Sequence, residues 1–235
     1  MSKDRNKVFN TFKYRFYLEG QKEPISHEVV IYEDGHSRVD DPEELELFKS
    51  FTELDNNKCE HCPLSNEEVK HCPAAMNLAS VINTFKEIKT SSEVTIEVET
   101  NQRTYSYKGV LTRGLHSLVG LAMASSECPH MKFLRPMAMF HLPYADANET
   151  IIRSMSFWLL KNYLKKPEEA IDFNPLFKKY GDVEKINAAM MERIRTFEVD
   201  DTGMHAIVIL DSFISIFGLK FEGNMDELRK ILDDE

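Results

Sequence analysis

Long apolar runs, excess basic charge and turn-forming residues are all scarce in this 235-residue chain, and each scarcity excludes a class of protein. The most apolar run, Ala206 to Leu219, is broken by Asp211 and two serines and falls short of the roughly 20 residues that a membrane-spanning helix needs. It reads as a buried helix. Lys and Arg total 29 against 39 Asp and Glu, a net charge of −10, which opposes a surface built to release counterions from nucleic acid. Nine Gly and nine Pro are too few for a disordered or low-complexity chain. The charged start, Met1 to Lys7, is followed by no apolar segment, so a secretory signal is not expected and the cytoplasm is the expected location. Cysteine is also scarce. Its four copies in a reducing compartment should be thiols or metal ligands, since disulfides are rare there.

What is present points to an α+β fold, with antiparallel hairpins in the N-terminal half and helices in the C-terminal half. Phe12, Tyr14, Phe16 and Leu18 alternate with Lys13, Arg15, Tyr17 and Glu19, the period of a half-buried strand. A second strand, Ile25 to Tyr32, ends at Asp34-Gly35, which predicts a tight hairpin with His36 to Val39 as its return arm. Asp41-Pro42-Glu43-Glu44 carries a cap, a first-turn proline and a capping-box acid, predicting a helix to about Phe51. Leu78, Val81, Ile82, Phe85 and Ile88 mark a helix behind Pro73, and a hairpin of Val94–Val98 with Arg103–Val110 follows.

From Thr112 only helices are expected. Leu115, Leu118, Val119 and Ala122 form one face of the first, and Asp146 to Glu149 is a capping box for the next, with its stripe from Ile151 to Tyr163. Further helices are expected over Val183–Phe197 and Ile207–Phe217, with a short one after Asn224. Residues 1–110 thus form an α+β layer containing the cysteine-rich segment 59–72, and residues 111–235 a helical layer, either as two domains or as two layers of one.

The chemistry concentrates in the cysteines. Cys59-Glu60-His61-Cys62-Pro63 is a C-x2-C pair, His71-Cys72-Pro73 follows, and Cys128-Pro129-His130 lies beyond the first helix of the second half. A loop between two cysteines so spaced wraps one ion with both thiolates facing it. Pro73 opens a helix and leaves Cys72 at its N-cap, where the helix dipole favours the thiolate. The segment is polar, a poor place to hide sulfur as an ordinary core residue. Cys59, Cys62, Cys72 and Cys128 are therefore the expected metal ligands, with His61, His71 and His130 in reserve. Zinc is the expected metal and an iron–sulfur cluster the alternative, since four thiolates suit both and the spacing matches neither ferredoxin run. Pro63 stands where covalent haem attachment needs histidine. A thioredoxin-like role lacks its parallel βαβ setting.

Residues 128–144 hold three prolines, two histidines and three methionines, and they predict neither helix nor strand. Arg135 there could hold an anion in a pocket shared with His141, and Met137, Met139 and His141 are alternative soft ligands, although filling core gaps is the plainer role for methionine. No phosphate loop, nucleophile elbow or HExxH pair is present. The expected function is a metal-stabilised binding or regulatory module. The alternative is a redox enzyme using a cluster or reactive thiols. A protein partner suits the first reading; nucleic acid and membrane do not, and the sequence carries no signal for oligomeric state.

The motifs Cys59-Glu60-His61-Cys62-Pro63, His71-Cys72-Pro73-Ala74-Ala75-Met76-Asn77-Leu78, Cys128-Pro129 and Arg135-Pro136-Met137-Ala138-Met139-Phe140-His141-Leu142-Pro143 together resemble those of an uncharacterised family of bacterial proteins. The resemblance runs from about residue 10 through most of the chain and implies a soluble bacterial protein with no function attached.

Overall fold

The structure is a computed structural model that describes residues 5–39, 46–85, 88, 93–167, 172–196 and 228–232. Its N-terminal half is a four-stranded antiparallel sheet in the order β2-β1-β3-β4, formed by β1 (Val8–Leu18), β2 (Ile25–Tyr32), β3 (Glu93–Glu99) and β4 (Thr104–Val110). Alternation along the central strands sends Phe12, Tyr14 and Phe16 of β1 and Val94, Ile96 and Val98 of β3 to one buried face. The chain is therefore an α+β protein. Gly20, at φ +80°, lets β1 turn back onto β2, and Tyr14 pairs with His27 on that side and Val98 on the other.

Six α-helices are described with the sheet: α1 (Lys49–Thr52), α2 (Pro73–Phe85), α3 (Leu111–Ala124), α4 (Arg135–Met139), α5 (Ala147–Tyr163) and α6 (Asn174–Thr196). A 3-10 helix, Pro129–Leu134, joins α3 to α4. Helix α2 packs on β2, and α3 lies against β3 and β4. Phe16 meets Phe85 of α2 edge to face at 4.7 Å. One continuous cluster of buried side chains runs from the sheet through α2 and α3 to α6. No helix of the described residues is long and apolar enough to cross a membrane.

Two local expectations change. The Asp34-Gly35 turn forms, with Gly35 N–H donating to the Tyr32 carbonyl, but His36 to Val39 do not return as a strand. Ser37 N–H instead donates to the Ser125 carbonyl at the end of α3, while Asn77 of α2 donates to Ser37 Oγ and the Ala122 carbonyl. These tertiary bonds satisfy the backbone and its buried polar neighbours better than a sheet edge would. Residues 128–144, expected to be irregular, contain the 3-10 helix and α4, because Pro129 and Pro136 occupy first-turn positions where no N–H is required. The Asp41 cap and the expected helices over 207–217 and after Asn224 lie outside the described residues, the last of them apart from a helical turn at 228–232. By contrast, the Asp146–Glu149 capping box is present in both directions, at 2.8 Å each.

Gly114 sets how closely α3 approaches the sheet. A Cβ there would lie 2.3 Å from Ile96 Cδ1 and 2.8 Å from Phe16 Cε1, both in the fully buried core. Gly114→Ala should therefore lose about 1–3 kcal/mol through overpacking, more than the helix propensity it gains. Urea denaturation checks this, and an unchanged or raised midpoint would show that α3 can move away freely.

Candidate functional site

Each expected cysteine ligand sits where a chain segment enters or leaves regular structure. Cys59 and Cys62 lie in the loop after α1, where Cys62 N–H donates to the Cys59 carbonyl at 2.9 Å and closes a tight turn between them. Cys72 directly precedes α2; its N–H donates to the Thr52 carbonyl at 2.7 Å and its carbonyl accepts the first helical bond from Met76. Cys128 directly precedes the 3-10 helix. Cys59, Cys72 and Cys128 are buried, Cys62 is half-buried, and all four are free thiols.

The four gather in one place. Burial pushes the Cys59 thiol up to about 12, with the charges of Cys62, Cys72 and Cys128 adding to the effect. Burial likewise pushes the Cys128 thiol up to about 11; backbone N–H groups of His130 and Met131 oppose the rise, while Cys72 and Cys62 reinforce it. Like charges in a shared, desolvated site disfavour thiolate unless a cation is supplied.

One permanent cation is already there, and the sequence alone does not reveal it. Arg193, in the last turn of α6, is 1% exposed. Its guanidinium donates to the carbonyls of Phe51 and Glu53 at 2.7 Å each and of Leu54 at 3.0 Å, clamping the end of α1 and the start of the cysteine loop onto α6. Burial lowers its pKa, and Cys72, Cys59 and Cys62 act in the opposite sense, so three of the four thiols lie within its electrostatic reach. Its Nε is buried without an oxygen partner.

The reserve histidines divide. His71 Nδ1 is 2.9 Å from Thr52 Oγ1 and is occupied there. The rings of His61 and His130 lie against each other, tilted by 47° with centroids 4.2 Å apart, and His130 Nε2 donates to the His61 carbonyl at 2.9 Å. Together with Asp182 of α6 they offer ligand atoms within 4.8 Å of one another. Among the described residues no three cysteine sulfurs form so tight a group.

Arg135 and His141 do not share a pocket. Arg135 packs over Gly35, with Asp34 and Glu127 as its charged neighbours. Met139 turns to the same side, whereas Met137 and His141 line a half-open cavity of about 100 Å³ between α3, α4, α5 and the segment after α4. At its floor Tyr14 Oη is 2.7 Å from His141 Nε2 and 2.9 Å from Ser117 Oγ. Burial pushes His141 down to about 3, so the ring is neutral. No cysteine lines this cavity.

The fold is that of an α+β protein with four unpaired cysteines, three of them buried. The chain belongs to the family described as a domain of unknown function, DUF6901, whose profile matches residues 11–233. No curated protein and no solved structure matches it.

The clamp at Arg193 yields a direct expectation. Arg193→Met keeps the side-chain stem but leaves three buried carbonyls without their donor, so it should cost about 3–5 kcal/mol of stability by urea denaturation. Arg193→Lys should recover little, because one ammonium cannot reproduce a planar fork spanning three acceptors. A loss below about 1 kcal/mol would mean that water replaces the guanidinium at little cost.

Proposed function

We propose that the protein is a cytoplasmic metal-binding module in which Cys59, Cys62, Cys72 and Cys128 hold one metal centre, with zinc as the resident ion. The observation that carries this reading is the mutual proximity of four unpaired cysteines from three separate segments, three of them within reach of the buried Arg193. A divalent ion with four thiolates bears a net double negative charge, and a permanent guanidinium beside it offsets part of the cost of burying that charge. Four protein ligands also close a zinc site and leave no position for a reacting water, so the centre is structural. It ties the cysteine loop and α2 to the segment after α3, and metal binding becomes part of the folding free energy. The segments so held would present a surface to a protein partner, which is the binding or regulatory role.

One observation favours a second reading, an iron–sulfur cluster in a redox protein. A tetrahedral zinc ion at ~2.3 Å would hold its sulfurs roughly 3.8 Å apart. No three of the cysteine sulfurs all lie within 4.8 Å of one another. A cluster spaces its thiolates more widely, because each sulfur binds a different iron or shares one across a larger core.

Elemental analysis with an absorption spectrum on the purified chain separates these readings. A colourless protein with about one zinc per chain is expected, whereas brown colour near ~400 nm with stoichiometric iron would establish the cluster. A metal-free, stable protein with four freely titrating thiols would exclude both. Cys72→Ser should lose the metal and lower the melting temperature by about 10 °C or more, since structural zinc contributes several kcal/mol to folding. Metal loss with unchanged melting would point to an open, functional centre.

A further inference from the structure

The half-open cavity bounded by α3, α4 and α5 has a charge pattern at odds with the rest of the molecule. The chain carries 39 acids against 29 bases, yet the cavity wall contains Arg113, Arg153, His116 and His141 and no carboxylate. Between these polar groups lie Leu121, Leu134, Met137 and Leu142. Among the described residues neither arginine is in an ion pair. Arg113 Nη2 donates to the Tyr144 carbonyl at 2.8 Å, and Arg153 Nη2 donates to the Phe140 carbonyl. Each guanidinium is thereby fixed in place with further N–H groups to spare. Glu149, the acid nearest Arg153 along α5, accepts from the Asp146 N–H and acts on Arg153 through its charge without forming an ion pair with it.

The wall also holds an unmet polar demand. His116 Nε2, one turn along α3 from Arg113, is buried with no hydrogen-bond partner. A buried unpaired polar atom costs about 1–3 kcal/mol unless something outside the chain answers it. The deeper groups answer one another instead: Tyr14, Ser117 and His141 form a closed hydrogen-bonded set, and Tyr144 N–H caps it at Ser117 Oγ. The polar demand of the cavity is thus focused at Arg113 and His116, and the rest of its lining is apolar or already hydrogen-bonded.

We propose that this cavity binds a small monocarboxylic acid with an apolar body, its carboxylate at Arg113 and His116 in the field of Arg153, and its chain against Leu121, Leu134, Met137 and Leu142. The carboxylate matches the guanidinium fork and supplies the acceptor that His116 lacks. A phosphate dianion would bring a second charge to be desolvated and has no apolar body to lie against Leu121, Leu134, Met137 and Leu142. At about 10–15 Å³ for each water-sized group, a volume of about 100 Å³ admits roughly seven to ten heavy atoms, the size of a medium-chain or simple aromatic acid. This site is lined by no cysteine and does not rest on the metal centre.

Calorimetric titration of the full chain, as purified with its metal, with octanoate, octan-1-ol and inorganic phosphate tests the proposal. Octanoate should bind saturably at one site per chain, octan-1-ol at least 10-fold more weakly, and phosphate not at all over the same range. Arg113→Gln should weaken octanoate by 10-fold or more and leave octan-1-ol unchanged. Equal affinity for acid and alcohol, no octanoate binding at millimolar concentration, preference for phosphate, or an Arg113→Gln protein that binds octanoate normally would each overturn it. The acid-to-alcohol comparison on the parent chain decides the matter even where the variant does not fold.

Discussion

A guanidinium removed from water needs acceptors, and Arg193 obtains three of them by holding one short stretch of chain in a single conformation. The carbonyls of Phe51, Glu53 and Leu54 cannot all point at one side chain unless α1 ends at Thr52 and the backbone turns immediately. That turn delivers Cys59 and Cys62 to the same side, and the Thr52 carbonyl in turn receives the N–H of Cys72. Helix α6 and the entrance to α2 are thereby joined through one side chain and a few main-chain bonds. The cysteine cluster depends on this arrangement: without the guanidinium, four thiols would share a buried site with no positive charge nearby.

The rest of the fold supplies the fourth sulfur. Gly114 lets α3 lie close on the sheet, and the end of α3 is fastened to the 36–37 segment through Ser125 and Asn77. Cys128 follows within a few residues and is brought to the loop from the far side of the core. The same run of chain then forms the 3-10 helix and α4, whose opposite side lines the Arg113 cavity. One segment thus connects a thiol cluster with a separate, cationic cavity, and displacement at either would be felt through α3 and α4.

Periodicity made much of this legible. Strict alternation in β1 and β3, the Asp146–Glu149 capping box and the proline opening α2 are local signals that tertiary structure did not need to overrule. The family resemblance was equally legible, in the Cys-Pro steps and the Arg135–Pro143 run. What could not be read locally was whatever depends on long-range partners. Arg193 in a final helical turn looks like an ordinary complement to the helix dipole, and nothing in its neighbours marks it as the most deeply buried cation among the described residues. Tyr14 reads as one more inward-facing strand residue, and its bond to His141 spans 127 positions. Arg135 and His141, close in sequence, face different surroundings because α4 turns them apart. His36 to Val39 left the sheet for the end of α3, an outcome set by Ser125 and Asn77 rather than by the Asp34-Gly35 turn.

The central claim is that the four thiols, and not the neighbouring His61–His130–Asp182 group, hold the metal. X-ray absorption at the edge of the bound metal measures this most directly, because sulfur and nitrogen or oxygen scatterers differ in strength and distance. The account predicts a first shell of four sulfurs near ~2.3 Å with no nitrogen or oxygen. A first shell of nitrogen and oxygen at ~2.0–2.2 Å would place the metal on the histidines and Asp182 and contradict it.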